Sequence, residues 1–146
     1  MINWWSDEDL QLFTGLGGAL ADQYSALQPL PGVYVDGKFT LGENIGDLGG
    51  VNAAYDGLQL YLKENPNQPL IDGFTPDQRF FISWATIWRT KARDEAIKNQ
   101  VKTDPHSPGN YRAYVPLQNV EAFYKAFDIK KTDGMYIEDD KRVKIW

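Results

Sequence analysis

The stretch from Leu41 to Lys63 constrains this chain more than any other. Its apolar residues Ile45, Leu48, Ala53, Tyr55, Leu58, Leu60, Tyr61 and Leu62 fall at helical rather than alternating spacing and give one wide apolar face. A run of that length predicts a long helix. It also carries Gly46, Gly49 and Gly50, each costing about 1 kcal/mol relative to Ala in a helix interior. Glycines kept inside a helix that forms anyway point to close packing against a neighbour.

The same period recurs on both sides. Ser6 precedes Asp7-Glu8-Asp9, and Leu10, Phe13, Leu16, Leu20, Tyr24 and Leu27 follow at helical spacing. Ser6 therefore reads as an N-cap, with the acids suited to the positive end of the helix dipole. Gly15, Gly17 and Gly18 weaken this helix or admit a close neighbour, and Pro29 and Pro31 end it. Val33 to Thr40 reads either as a hairpin arm or as an irregular loop around Asp36-Gly37. After a loop at Asn65–Pro69, Thr75, Pro76 and Gln78 form a capping-box signature. That helix runs through Phe80, Phe81, Trp84, Ile87 and Trp88, which predicts a buried face heavy in aromatics. A further helix is expected over Arg93 to Gln100, a loop over Lys102 to Asn110, and a last helix over Gln118 to Phe127. The tail from Asp128 is polar apart from Met135, Tyr136, Ile137, Val143, Ile145 and Trp146. The expected class is mainly α, in a single unit without repeats.

Composition sets outer limits. A chain of 146 residues with 42% hydrophobic and 14% aromatic residues can build one real core. The net charge of −5, with no stripe of Lys and Arg, argues against a nucleic-acid partner. The absence of Cys excludes disulfides and thiolate metal sites. Met1 to Leu10 lacks the basic and apolar regions of a signal peptide, and no window is apolar enough to span a membrane.

A few residues could carry chemistry. Glu43 and Asp47 lie four apart at a helix start, so they share one face. Such a pair ordinarily just suits the helix dipole. The sharper reading makes Glu43 a metal ligand with Asp47 orienting a second ligand. His106 is the sole histidine and sits in a Pro-bounded loop, with Arg112 six residues on. A lone His is more often a structural hydrogen-bonding group, although this loop could hold it at a cleft. Trp84 and Trp88 share a helical face; core packing is the default, and a substrate pocket lined by Ile87 and Trp88 is the alternative.

Two longer motifs weigh on these choices. Leu41-Gly42-Glu43-Asn44-Ile45-Gly46-Asp47-Leu48-Gly49-Gly50 and Lys102-Thr103-Asp104-Pro105-His106-Ser107-Pro108-Gly109-Asn110-Tyr111-Arg112 resemble the two signatures of the neprilysin and endothelin-converting-enzyme family of zinc metallopeptidases. Asn3-Trp4-Trp5, the Phe80–Trp88 stretch and Arg142–Trp146 resemble it in the same order, apart from Lys144-Ile145 before Trp146. The resemblance implies the helical C-terminal subdomain of a gluzincin-type, thermolysin-like catalytic domain, over residues 1–146. It implies that Glu43 is the third zinc ligand and that Asp47 hydrogen-bonds a zinc-binding His. His106 would stabilise the oxyanion, Arg112 would hold a substrate carbonyl, and Ile87 and Trp88 would line the prime-side pocket. The implied activity is hydrolysis of oligopeptides on the amino side of bulky hydrophobic residues, in an extracytoplasmic location.

One element of that family is missing. The chain has no His-Glu-x-x-His sequence, which supplies two zinc ligands and the general base. The resemblance places it upstream of Met1. The expected partners are therefore peptide substrates and that N-terminal part of the same protein, and the isolated chain is expected to be inactive and to self-associate. Two other readings compete: a catalytically silent helical interaction domain derived from the same family, and an unrelated Trp-rich binding module.

Overall fold

In the computed structural model, residues 4–145 are described. Asn3 and Trp146, which contribute to the end motifs, lie outside them. Six α-helices follow in order: α1 (Asp7–Ser25), α2 (Leu41–Glu64), α3 (Pro76–Ile87), α4 (Asp94–Thr103), α5 (Gly109–Gln118) and α6 (Glu121–Phe127), then a 3-10 turn at Asp139–Lys141. Among the described residues there are no strands, only isolated bridges at Leu30–Val33 and Ile71–Phe74. The expected mainly α class holds.

The caps behave as their sequences require. The Asp9 amide donates to Ser6 Oγ at 3.1 Å. Thr75 and Gln78 close the full capping box, each side chain accepting from the other's amide. Between α1 and α2 the chain is loop, not hairpin. Asp36 accepts from the Lys38 and Phe39 amides and turns the backbone into α2. Gly37 is required there, because a Cβ at this position would lie 2.0 Å from the Ala21 carbonyl oxygen.

The core is a helix-on-helix layer joining Leu20 and Tyr24 of α1, Leu48 and Val51 of α2, Phe81 of α3, Val115 of α5, and Phe123 and Tyr124 of α6. Phe81 is its aromatic centre, stacked on Tyr55 at 5.3 Å and edge-on to Phe123 at 5.5 Å between ring centroids. Helix α5 packs against α2, α3 and α6. The tail returns to this core. Buried Asn119 accepts from the Val143 amide, and Arg142 lies over the Tyr124 ring at 3.6 Å while pairing with Glu121.

Three expectations need correction. The loop expected to reach Asn110 ends at Pro108, and α5 is a helix the sequence reading missed; the predicted Gln118–Phe127 helix is the shorter α6. Pro116 sits inside α5 and has no N–H, so the Arg112 carbonyl loses its intrahelical donor. Trp84 Nε1 donates to that carbonyl instead, at 3.2 Å. Second, α3 buries only Phe81 fully, and Ile87 is 66% exposed. Third, nothing in the described residues approaches the positions a Cβ would occupy at Gly46 and Gly50, so their glycines are not explained by packing within this chain.

Candidate active site

Helix α2 and the α4–α5 loop build the site together. Glu43 lies in the first turn of α2, and Asp47 is one turn further along the same side. Across from them stand His106 of the loop and Arg112 of α5. His106 Nε2 is 3.1 Å from Glu43 Oε2, both side chains being about half exposed. Arg112 grips Asp47 with two parallel bonds, Nε to Oδ2 at 2.7 Å and an Nη to Oδ1 at 2.8 Å. This pair is more deeply placed, with side-chain exposures of 17% and 9%.

Each contributor is fixed from behind. Asp104 accepts from the His106 amide at 2.9 Å and contacts its Nδ1 at 2.7 Å. Those two bonds hold the Asp104 carboxyl below the usual carboxylate range. Both His106 ring nitrogens thus face carboxylate oxygens. Hydrogen bonding to Asp47 raises the Arg112 pKa further, so its charge is permanent. Its guanidinium lies 3.9 Å from the Trp88 ring centroid. Gly109 lets the loop in: a Cβ there would lie 2.9 Å from Thr90 Oγ1 and 3.2 Å from the Trp88 carbonyl.

Four predicted residues, Glu43, Asp47, His106 and Arg112, therefore converge from two distant segments. The predicted pocket pair, Ile87 and Trp88, is adjacent in sequence at the end of α3. Trp88 packs under Arg112, whereas Ile87 lines an open groove of about 530 Å³ with Ile71, Phe74 and Ile82.

The sequence reading passed over several residues in this neighbourhood. Asn44, Ser107 and Thr40 are buried beside Glu43 and His106 and hydrogen-bonded to one another. Asp104 was legible only as a turn former. Tyr24 is wholly buried, with no hydrogen-bond partner for its hydroxyl among the described residues. Burial raises its pKa, and the charge of nearby Asp47 adds to this.

As a metal centre the arrangement is partial. Glu43 offers an accessible carboxylate of the right donor type. Among the described residues, no group of three or more His, Cys, Asp or Glu could hold a metal ion. The residues present fit zinc as the source of one ligand, with two more required from elsewhere.

The model of Peptidase family M13 matches residues 1–143. The chain belongs to peptidase family M13. It is 38% identical over 146 residues to the neutral endopeptidase of Lactobacillus helveticus and 34% identical over 150 residues to human neprilysin. All of the chain is covered in both cases, and it spans 21% and 20% of the length of those proteins. Among solved structures, it superposes on a Mycobacterium tuberculosis zinc metalloprotease in complex with an inhibitor, with a TM-score of 0.94 at 44% identity, covering 100% of this chain and 23% of that one. PepO from Lactobacillus rhamnosis HN001 gives a TM-score of 0.83 at 37% identity, covering 99% of this chain and 21% of that one. The M13 match bears out the neprilysin-family resemblance of the sequence.

Proposed function

We propose that this M13 chain is the C-terminal part of a zinc endopeptidase catalytic domain and supplies half of its active site. The convergence of Glu43, Asp47, His106 and Arg112 on one surface supports this reading above all else. In it, Glu43 is the third zinc ligand and an upstream His-Glu-x-x-His helix supplies the other two. Zinc, when bound, would polarise the scissile carbonyl and make water nucleophilic near neutral pH.

This chain's own residues would do the rest. His106, held through Nδ1 by Asp104, would present Nε2 to the developing oxyanion. A donor so placed contributes about 2.7–4 kcal/mol in comparable sites. Arg112 spends two of its N–H groups on Asp47. The remaining ones would hold a prime-side carbonyl of the substrate. Asp47 keeps lone pairs for a zinc-binding His. Ile87 and Trp88 would border the prime-side pocket, consistent with cleavage on the amino side of bulky hydrophobic residues. We place the enzyme outside the cytoplasm, as the neprilysin resemblance implies; among the described residues, no helix is long and apolar enough to cross a membrane.

The test is hydrolysis of an oligopeptide by the full-length protein. Chelator-sensitive cleavage before a bulky apolar residue is expected. Full-length protein that binds zinc but cleaves no peptide would favour the silent interaction-domain reading.

A further inference from the structure

The side chains of Glu43 and His106 are about half exposed, and their mutual contact is a single 3.1 Å approach. An ion pair of that exposure contributes about 0–1 kcal/mol. It cannot by itself hold two flexible side chains in register, so their spacing must be set beneath the surface. We propose that Asn44 and Ser107 are positioning residues that fix the Glu43–His106 separation through a buried hydrogen-bonded link. The inference rests on the roles given to Glu43 and His106 above.

The link is complete. Ser107 Oγ donates to Asn44 Oδ1 at 2.8 Å, across 63 residues of sequence. Asn44 Nδ2 donates to Thr40 Oγ1 at 2.9 Å, and Thr40 Oγ1 donates to the Asp36 carbonyl at 3.0 Å. Because the Thr40 proton goes to Asp36, the Thr40 oxygen must accept. That fixes the Asn44 amide with its oxygen toward Ser107. Asn44 and Ser107 are each 1% exposed and Thr40 is 3% exposed, so water has no ready access to replace a lost bond. Each end of the link is covalently next to a site residue: Glu43 precedes Asn44, and His106 precedes Ser107. Adjacent Cα atoms are about 3.8 Å apart, so the backbone passes the constraint on with little slack. Pro105 and Pro108 stiffen the loop on either side.

The geometry separates positioning from plain stability. If the link aims His106 at charge that develops in the transition state, its loss lowers kcat and leaves KM nearly unchanged. The experiment is steady-state kinetics on the full-length zinc-loaded enzyme, with zinc content and thermal midpoint measured for each variant. Ser107→Ala should lower kcat by about 10–100-fold at unchanged KM and zinc content, the range for residues that orient a site from behind. Ser107→Thr, which keeps the hydroxyl, should recover most of it. In a His106→Ala background, Ser107→Ala should add less than about twofold, since it acts through His106. Thr40→Val, isosteric and farther from the reacting groups, gives a second route should Ser107→Ala not fold, and should lower kcat in the same direction. Wild-type kcat in both Ser107→Ala and Thr40→Val overturns the proposal. So does an equal loss with and without His106. An inactive wild-type enzyme would instead refute the underlying peptidase reading.

Discussion

At Arg112 the guanidinium donates twice to Asp47 and lies over Trp88, so three predicted site residues form one packed unit. Removing Asp47 would leave a largely buried cation unpaired. Asp47→Ala should therefore destabilise by about 3 kcal/mol, toward the lower end for a broken buried pair. In the full-length protein it should also weaken zinc binding by about 10–100-fold. If Glu43 is the ligand proposed above, Glu43→Val should abolish zinc binding. A chelator titration of both variants checks these outcomes, and wild-type zinc affinity in Glu43→Val would sink the ligand assignment. Asp104 has a pH consequence. Its carboxyl is held below its ordinary value of about 3.9. Its bonds to His106 are thus fully present above that value and are lost as pH falls through the lower folded value. The protection factor of the His106 amide, its exchange rate relative to the intrinsic rate at the same pH, should hold at pH 5 and fall only in the strongly acid range; protection already lost at pH 5 would contradict this.

Helix α5 shows what the sequence could and could not reveal. Ser6 and the Thr75–Gln78 pair were readable as caps because a cap needs only a polar side chain and its own helix start. Gly and Pro are helix breakers by type, yet Gly109 opens α5 and Pro116 sits inside it. Their explanation lies on α3 and the residues after it: Trp84 serves the carbonyl that Pro116 orphans, and Thr90 needs the room that Gly109 leaves. No local pattern contains that information. The site residues were legible through long motifs, whereas Asn44 and Ser107 were not, since a buried amide and hydroxyl look like any other polar residues until their partner is known. Gly109→Ala should destabilise by about 1–3 kcal/mol through overpacking, read as a lower thermal midpoint. A midpoint equal to wild type would mean that the Trp88–Thr90 backbone yields easily.

For the whole molecule, the incomplete ligand set predicts that this 146-residue chain alone hydrolyses no peptide and binds no zinc tightly. Stoichiometric submicromolar zinc binding by the chain alone would contradict this. Leu12, Leu70, Ile71 and Ile87 are exposed apolar side chains, and on the proposed reading they would offer surface to an upstream part or a second copy. Mixing the chain with its upstream counterpart should restore zinc binding and activity together. A strictly monomeric chain with no affinity for that counterpart would show that it is self-sufficient. The Asp47–Arg112 bridge also bears on how the chain reaches this structure. It joins positions 65 apart, with α3 and α4 lying between them in the sequence. Helices α1 and α2 need only local contacts to begin, but closing so long a loop is slow and unrewarded until α5 arrives. The two faces of the site therefore meet late in folding, after most of the helical structure exists.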